Sequence, residues 1–250
     1  MNRPAGTPLQ DEITVVLTGT VAPNATGAAA TDPEKRLAEY RRVVEFCRPF
    51  APVIFLENST YPLERHPEFA EAAGLRVRRF TPSIHPERGK GFQEFEMIDA
   101  WLASEPAPPA RWLKITGRYQ LLNLRDVLAA CRREAGRPLL IDQLYWQRWT
   151  RTYMFCVHSD FYRARLLGAY RECDDRAGGQ FYIERVLYRR LAGLPADDVH
   201  SFPVQGRFCA VAGTTGTAYP TGQLQWTAKQ GLRRLNRLLS RRYLFYSKVS

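Results

Sequence analysis

The chain has 250 residues, 45% hydrophobic and 12% aromatic, which is enough apolar material for a substantial core and too much for a disordered chain. Its 36 Lys and Arg against 25 Asp and Glu leave a formal charge of +11, which points to anionic partners: nucleic acid, an anionic membrane surface or phosphorylated small molecules. There is no apolar run of the ~20 residues a membrane span needs and no apolar signal core in residues 1–7, so the expected location is cytoplasmic. The five cysteines, Cys47, Cys131, Cys156, Cys173 and Cys209, form no CxxC pair and indicate neither a zinc site nor a disulfide framework.

Residues 12–18 read as a buried parallel strand leading into a loop of small residues over 19–30. Thr31-Asp32-Pro33-Glu34 then supplies a cap, a first-turn proline and an early carboxylate. The helix it opens carries Leu37, Tyr40, Val44 and Cys47 on one stripe and is stopped by Pro49 and Pro52. Residues 53–56 form a second buried strand ending in Glu57-Asn58-Ser59, and 75–80 a weaker third. Gly89-Lys90-Gly91 opens a helix over 91–103 with Phe95, Ile98 and Leu102 aligned.

The most informative stretch is 111–123, read as a strand. Lys114, Thr116 and Arg118 alternate with Leu113, Ile115 and Tyr119, the period of a strand with one polar face. An anion between the two cations would offset their repulsion and desolvation; the alternative is an edge strand with its basic side chains in water. Residues 139–141 and 153–157 read as later strands, and 161–170 and 180–191 as later helices. Near the end, Leu232, Leu235, Leu238, Leu239 and Arg242 fall at helical spacing among Arg233, Arg234, Arg237 and Arg241. That pattern is a basic amphipathic helix able to lie on anionic headgroups or to dock on the body. Strands alternating with helices give an α/β fold, a mixed, mostly parallel sheet flanked by helices. The expected organisation is one domain over 1–225 and a basic tail over 226–250.

The order Val-Leu-Thr-Gly-Thr (16–20), Phe-Leu-Glu-Asn-Ser (55–59), Gly-Lys-Gly-Phe-Gln-Glu (89–94) and Lys-Ile-Thr-Gly-Arg-Tyr (114–119) resembles a family of bacterial glycosyltransferases. These enzymes build surface polysaccharides such as lipopolysaccharide and capsule. The resemblance continues at Phe-Tyr-Ile-Glu-Arg-Val-Leu-Tyr (181–188) and Gly-Thr-Thr-Gly-Thr-Ala-Tyr (213–219), and so covers most of 12–219. It implies a GT-A-like, Rossmann-related fold, a nucleotide-sugar donor, and a glycan or lipid-linked glycan acceptor; no RNP-type aromatic motif, zinc finger or KH loop is visible, so no nucleic-acid partner is expected. One departure stands out. GT-A enzymes commonly carry an Asp-x-Asp signature that holds a divalent metal, Mg or Mn, on the diphosphate. This chain has Lys-Ile-Thr-Gly-Arg there, which raises a metal-independent mechanism with cations in the metal's place. The doublets Asp174-Asp175 and Asp197-Asp198 read as solvated loop residues.

The chemistry sets the candidate roles. Breaking a sugar–diphosphate bond leaves negative charge that metal, Lys/Arg or backbone N–H groups must stabilise. Lys90, Lys114, Thr116 and Arg118 are the candidates, with Thr214 and Thr215 in a loop able to supply N–H donors. Ligands of such sheets sit beyond the strand carboxyl ends, which puts Thr18, Thr20, Glu57, Asn58 and Asn123 on the same rim. Inverting transfer needs a base. Glu184 is the first candidate, because it shares a helical face with Phe181, Leu187, Tyr188 and Leu191, and burial would raise its pKa. Glu94 is the second, while Asp160 equally suits a helix cap; retaining transfer would require none of them as base. Tyr145, Trp146 and Trp149 suit either sugar stacking or packing. The competing classes are a non-catalytic nucleic-acid- or membrane-binding module and another nucleotide-dependent α/β enzyme.

Overall fold

The computed structural model describes residues 12–24, 32–209 and 222–246. Strand β1 (Thr14–Gly19) leads to helix α1 (Pro33–Cys47), β2 (Val53–Glu57), β3 (Leu75–Arg79), α2 (Lys90–Ser104) and β4 (Arg111–Thr116). There follow β5 (Gln120–Leu121), α3 (Leu124–Arg133), β6 (Leu139–Leu144), β7 (Trp149–His158), α4 (Ser159–Arg165) and α5 (Ile183–Ala192). The chain closes with β8 (Val199–His200), β9 (Phe208–Cys209), α6 (Gln223–Leu239) and β10 (Tyr243–Leu244).

The main sheet runs β10-β6-β7-β4-β1-β2-β3, with β8 also on β6. Strands β1, β2, β3 and β4 are mutually parallel, β8 and β10 are parallel to β6, and β7 alone runs antiparallel to its two neighbours. The expected mixed, mostly parallel sheet flanked by helices is therefore present. Every residue of β1, β2 and β6 is buried, as expected of strands covered on both faces. On one side Val15, Leu17, Leu113 and Ile115 pack on Leu37, Tyr40 and Val44 of α1 and on Leu124, Val127 and Leu128 of α3. On the other, Val16, Ile54 and Trp112 pack on Phe92, Phe95, Ile98 and Trp101 of α2 and on Ile183, Val186 and Leu187 of α5. Strand alternation then dictates the site: Thr18, Lys114 and Thr116 are in phase with Val16 and Trp112, so they face the α2/α5 layer.

Several expectations need correction. Residues 111–123 are not one strand: β4 ends at Thr116, turns at Gly117-Arg118, and β5 pairs instead with β9. Nor is β4 an edge strand. It lies between β1 and β7, and Lys114 is 0% exposed. The turn is tight because Gly117 donates its N–H to the Thr18 carbonyl at 2.8 Å, and a Cβ there would stand 2.7 Å from that oxygen. The helix expected over 161–170 begins at Ser159 and ends at Arg165, so exposed Asp160 lies in its first turn and does not cap it. Helix α3, which the residue pattern does not separate from the strand before it, opens with only two residues between it and β5. The cap of α1 is the one expected: Asp32 accepts from the N–H groups of Glu34 and Lys35.

Candidate active site

At the carboxyl ends of β1 and β4 a polar chain crosses the α2/α5 face. Lys114 Nζ is 2.7 Å from Glu94 Oε1 and donates to Thr116 Oγ1 at 3.1 Å and to the Thr152 carbonyl at 2.8 Å. All three ammonium hydrogens thus have acceptors, as burial requires. Thr18 Oγ1 donates to the same Glu94 oxygen at 2.5 Å. Burial pulls the Lys114 pKa down, with Glu94 and then Glu184 opposing that shift. The anion expected beside Lys114 is thus a carboxylate of this chain.

Glu184, in the first turn of α5, accepts from Thr152 Oγ1 at 3.2 Å. Burial pushes its carboxyl up to about 7; its own N–H and Thr152 oppose the shift, and Glu94 and Asp175 add to it. Thr152 reaches this face because β7 is irregular there. Between the pairs Ile141–Phe155 and Gln143–Thr150, β6 advances two residues while β7 advances five. Such irregularities re-aim side chains next to sites.

A cationic rim flanks this chain of groups. Arg118, buried in the turn after β4, pairs with Glu39 of α1 at 2.9 Å. Lys90 opens α2; burial lowers its pKa first, Asp175 opposes that, and Arg118 and Arg36 lower it further, so the three cations lie within electrostatic reach. Arg36 donates to the Thr20 carbonyl at 2.7 Å and to the Tyr40 hydroxyl at 3.0 Å. Gly89 sits at φ 98°, and a Cβ there would come within 1.8 Å of Asp175 Oδ2. Asp175 thus lies against the N-terminus of α2, where its carboxyl is raised by burial and lowered by Lys90. It is a member of the site and not the solvated loop residue the sequence suggested.

Other candidate residues have different work. Glu57 is fully buried and accepts from Val21 N, Ser59 N and Ser59 Oγ, with Arg79 at 3.6 Å, so it braces the loops after β1 and β2. Asn58 accepts from Thr20 Oγ1 at 2.6 Å within the same brace. Asn123 donates to the Gln205 carbonyl and accepts from Arg207 N, clamping the segment before β9 rather than lining the rim. Thr214 and Thr215 lie outside the described residues. The sequence reading did not place Arg36, Glu39, Thr152 or Asp175 at the site. Arg36 and Glu39 share a face of α1 one turn apart, which is a legible signal, whereas the aim of Thr152 depends on the irregularity in β7.

The residues after β4 do not fit the divalent cation that the Asp-x-Asp signature would hold. Glu94 is already paired with Lys114, and Arg118 follows in the turn. Among the described residues no three His, Cys, Asp or Glu side chains group to hold a metal ion.

No family model and no curated protein matches the chain. Among solved structures it is similar to an active-site mutant of LgtC at 9% identity and TM-score 0.46, over 70% of this chain and 69% of that one. It is also similar to the glycosyltransferase GlyE of Streptococcus pneumoniae at 8% and 0.46, over 71% of this chain and 43% of that one. Mouse xyloside xylosyltransferase 1 is similar at 10% and 0.43, over 73% and 81%. At these scores the likeness assigns neither substrate nor activity.

Proposed function

We propose that the protein is a glycosyltransferase that moves a sugar from a nucleotide-sugar donor to a glycan or lipid-linked glycan acceptor in bacterial surface-polysaccharide synthesis, on the cytoplasmic side. The observation that carries this reading is the placement of Glu184 at the strand carboxyl ends, hydrogen-bonded to Thr152, whose carbonyl in turn holds the buried Lys114 paired with Glu94. The motif order described from sequence gives the reaction class. In the reaction Glu184 takes the proton of the acceptor hydroxyl as its oxygen bonds the anomeric carbon. The bond to the donor diphosphate breaks, and the nucleoside diphosphate departs with the electron pair. Lys90, Arg118 and Arg36 stabilise the charge it carries away. Lys114 acts through Glu94 and Thr116, holding the strand end in place. Thr18 and Thr20 lie beside the nucleotide.

A thermal-shift panel of nucleoside diphosphates and nucleotide sugars tests this reading, since a ligand of the native state raises its stability by mass action. A shift with at least one nucleoside diphosphate, weakened in R118Q, is expected. Silence across the whole panel would overturn the assignment.

A further inference from the structure

Helix α6 is amphipathic the opposite way round from an ordinary surface helix. Its polar stripe faces the body. Trp226 Nε1 donates to the Gln205 carbonyl at 2.8 Å, Gln230 Oε1 accepts from Gln205 N at 2.7 Å, and Arg233 donates to both Asp142 oxygens at 2.7 and 2.8 Å. Asn236 donates to the Tyr243 carbonyl and accepts from Phe245 N. The leucine stripe faces outward: Leu224 is 89% exposed, Leu235 59%, Leu238 83% and Leu239 76%. Two exposed arginines, Arg234 and Arg241, border this stripe, and no Asp or Glu occurs after Asp198. Scattered exposed leucines are ordinary, but an aligned row of them on one helix marks an interaction face.

We propose that this face of α6 docks on an anionic lipid surface, with the leucines entering the acyl boundary and the arginines meeting headgroup phosphates. Charge chooses the occupant. A second copy of the chain meeting this face across a two-fold axis would set Arg234 and Arg241 against their counterparts, with no acid on the helix to relieve them. An anionic bilayer supplies both the apolar medium and the counter-charge. A 17-residue helix lying flat needs no span, and no helix among the described residues is long and apolar enough to cross a membrane. Trp146, 70% exposed, lies edge-on to Phe245, whose N–H donates to Asn236 of the helix, and suits the same interface.

The inference does not depend on the proposed reaction. Co-sedimentation of the full chain is measured with phosphatidylcholine vesicles and with mixed phosphatidylcholine–phosphatidylglycerol vesicles. The expected result is binding to the mixed vesicles that weakens with salt and falls roughly tenfold or more in L235Q/L238Q and in R234Q/R241Q. The substituted side chains are exposed, so circular dichroism should show both variants folded. Absence of binding to the mixed vesicles, or binding that the leucine variant leaves intact, would overturn the proposal. So would a concentration-dependent dimer by light scattering that L235Q/L238Q dissociates, because the face would then belong to a second copy.

Discussion

Burial lifts the Glu184 carboxyl into the range that suits the general base proposed for it. Its folded pKa is raised from 4.5 to about 7, so the unfolded chain sheds this proton first, and the group's contribution to stability falls as pH rises from about 4.5 to about 7. Two outcomes follow for E184Q. Transfer should drop about 10²–10⁴-fold, and the residual rate should lose the rise that the wild type shows through pH 7. The variant should also melt above the wild type at pH 8 and level with it at pH 5, by about 2–4 °C for each kcal/mol of relief. A purely structural Glu184 would give the reverse, with E184Q melting lower at pH 8. Lys114 is a separate case. K114M leaves the Glu94 carboxylate without its cation and should cost about 3–5 kcal/mol in urea unfolding, part of which K114M/E94Q recovers.

At the scale of elements, the stretches legible in sequence were those whose burial is continuous or whose caps are local. β1, β2 and α1 announce themselves through unbroken apolar runs and the Asp32 cap. The partner of Lys114 could not be read, because Glu94 sits on α2, and only the packing of that helix across β1 and β4 sets their register. The two-residue strands β8, β9 and β10 exist through tertiary pairing alone. Periodicity found the leucine stripe of α6 but not its direction, since the buried acid that reverses it, Asp142, lies ninety-one residues earlier. Helix α2 offers its own test. G89A places a side chain at φ 98° and against Asp175, so it should destabilise the fold by about 1–3 kcal/mol in urea and lower nucleotide affinity through Lys90.

For the whole molecule, the C-terminal segment is fastened by charge as well as by packing. Burial would raise the Asp142 carboxyl, but Arg233, then Arg151 and the Phe202 N–H, hold it below its ordinary 3.8. Its contribution to stability is therefore present above about pH 4 and lost as acid protonates it. R233M should cost about 3–5 kcal/mol by leaving that carboxylate uncompensated, with the difference from wild type shrinking in acid. Removing residues 229–250 takes away Arg233 and β10 together, and that truncation should appear in the insoluble fraction on expression.

The position of β6 in the sheet bears on how the molecule is made. One flank of β6 is filled by β8 at Leu139–Leu140 and by β10 at Gln143–Leu144. Both strands come off the ribosome long after β6 itself. A nascent chain therefore carries this open flank until Tyr243 and Leu244 have been made, and a stall or premature stop before them releases a molecule whose unpaired edge seeks strands on other chains.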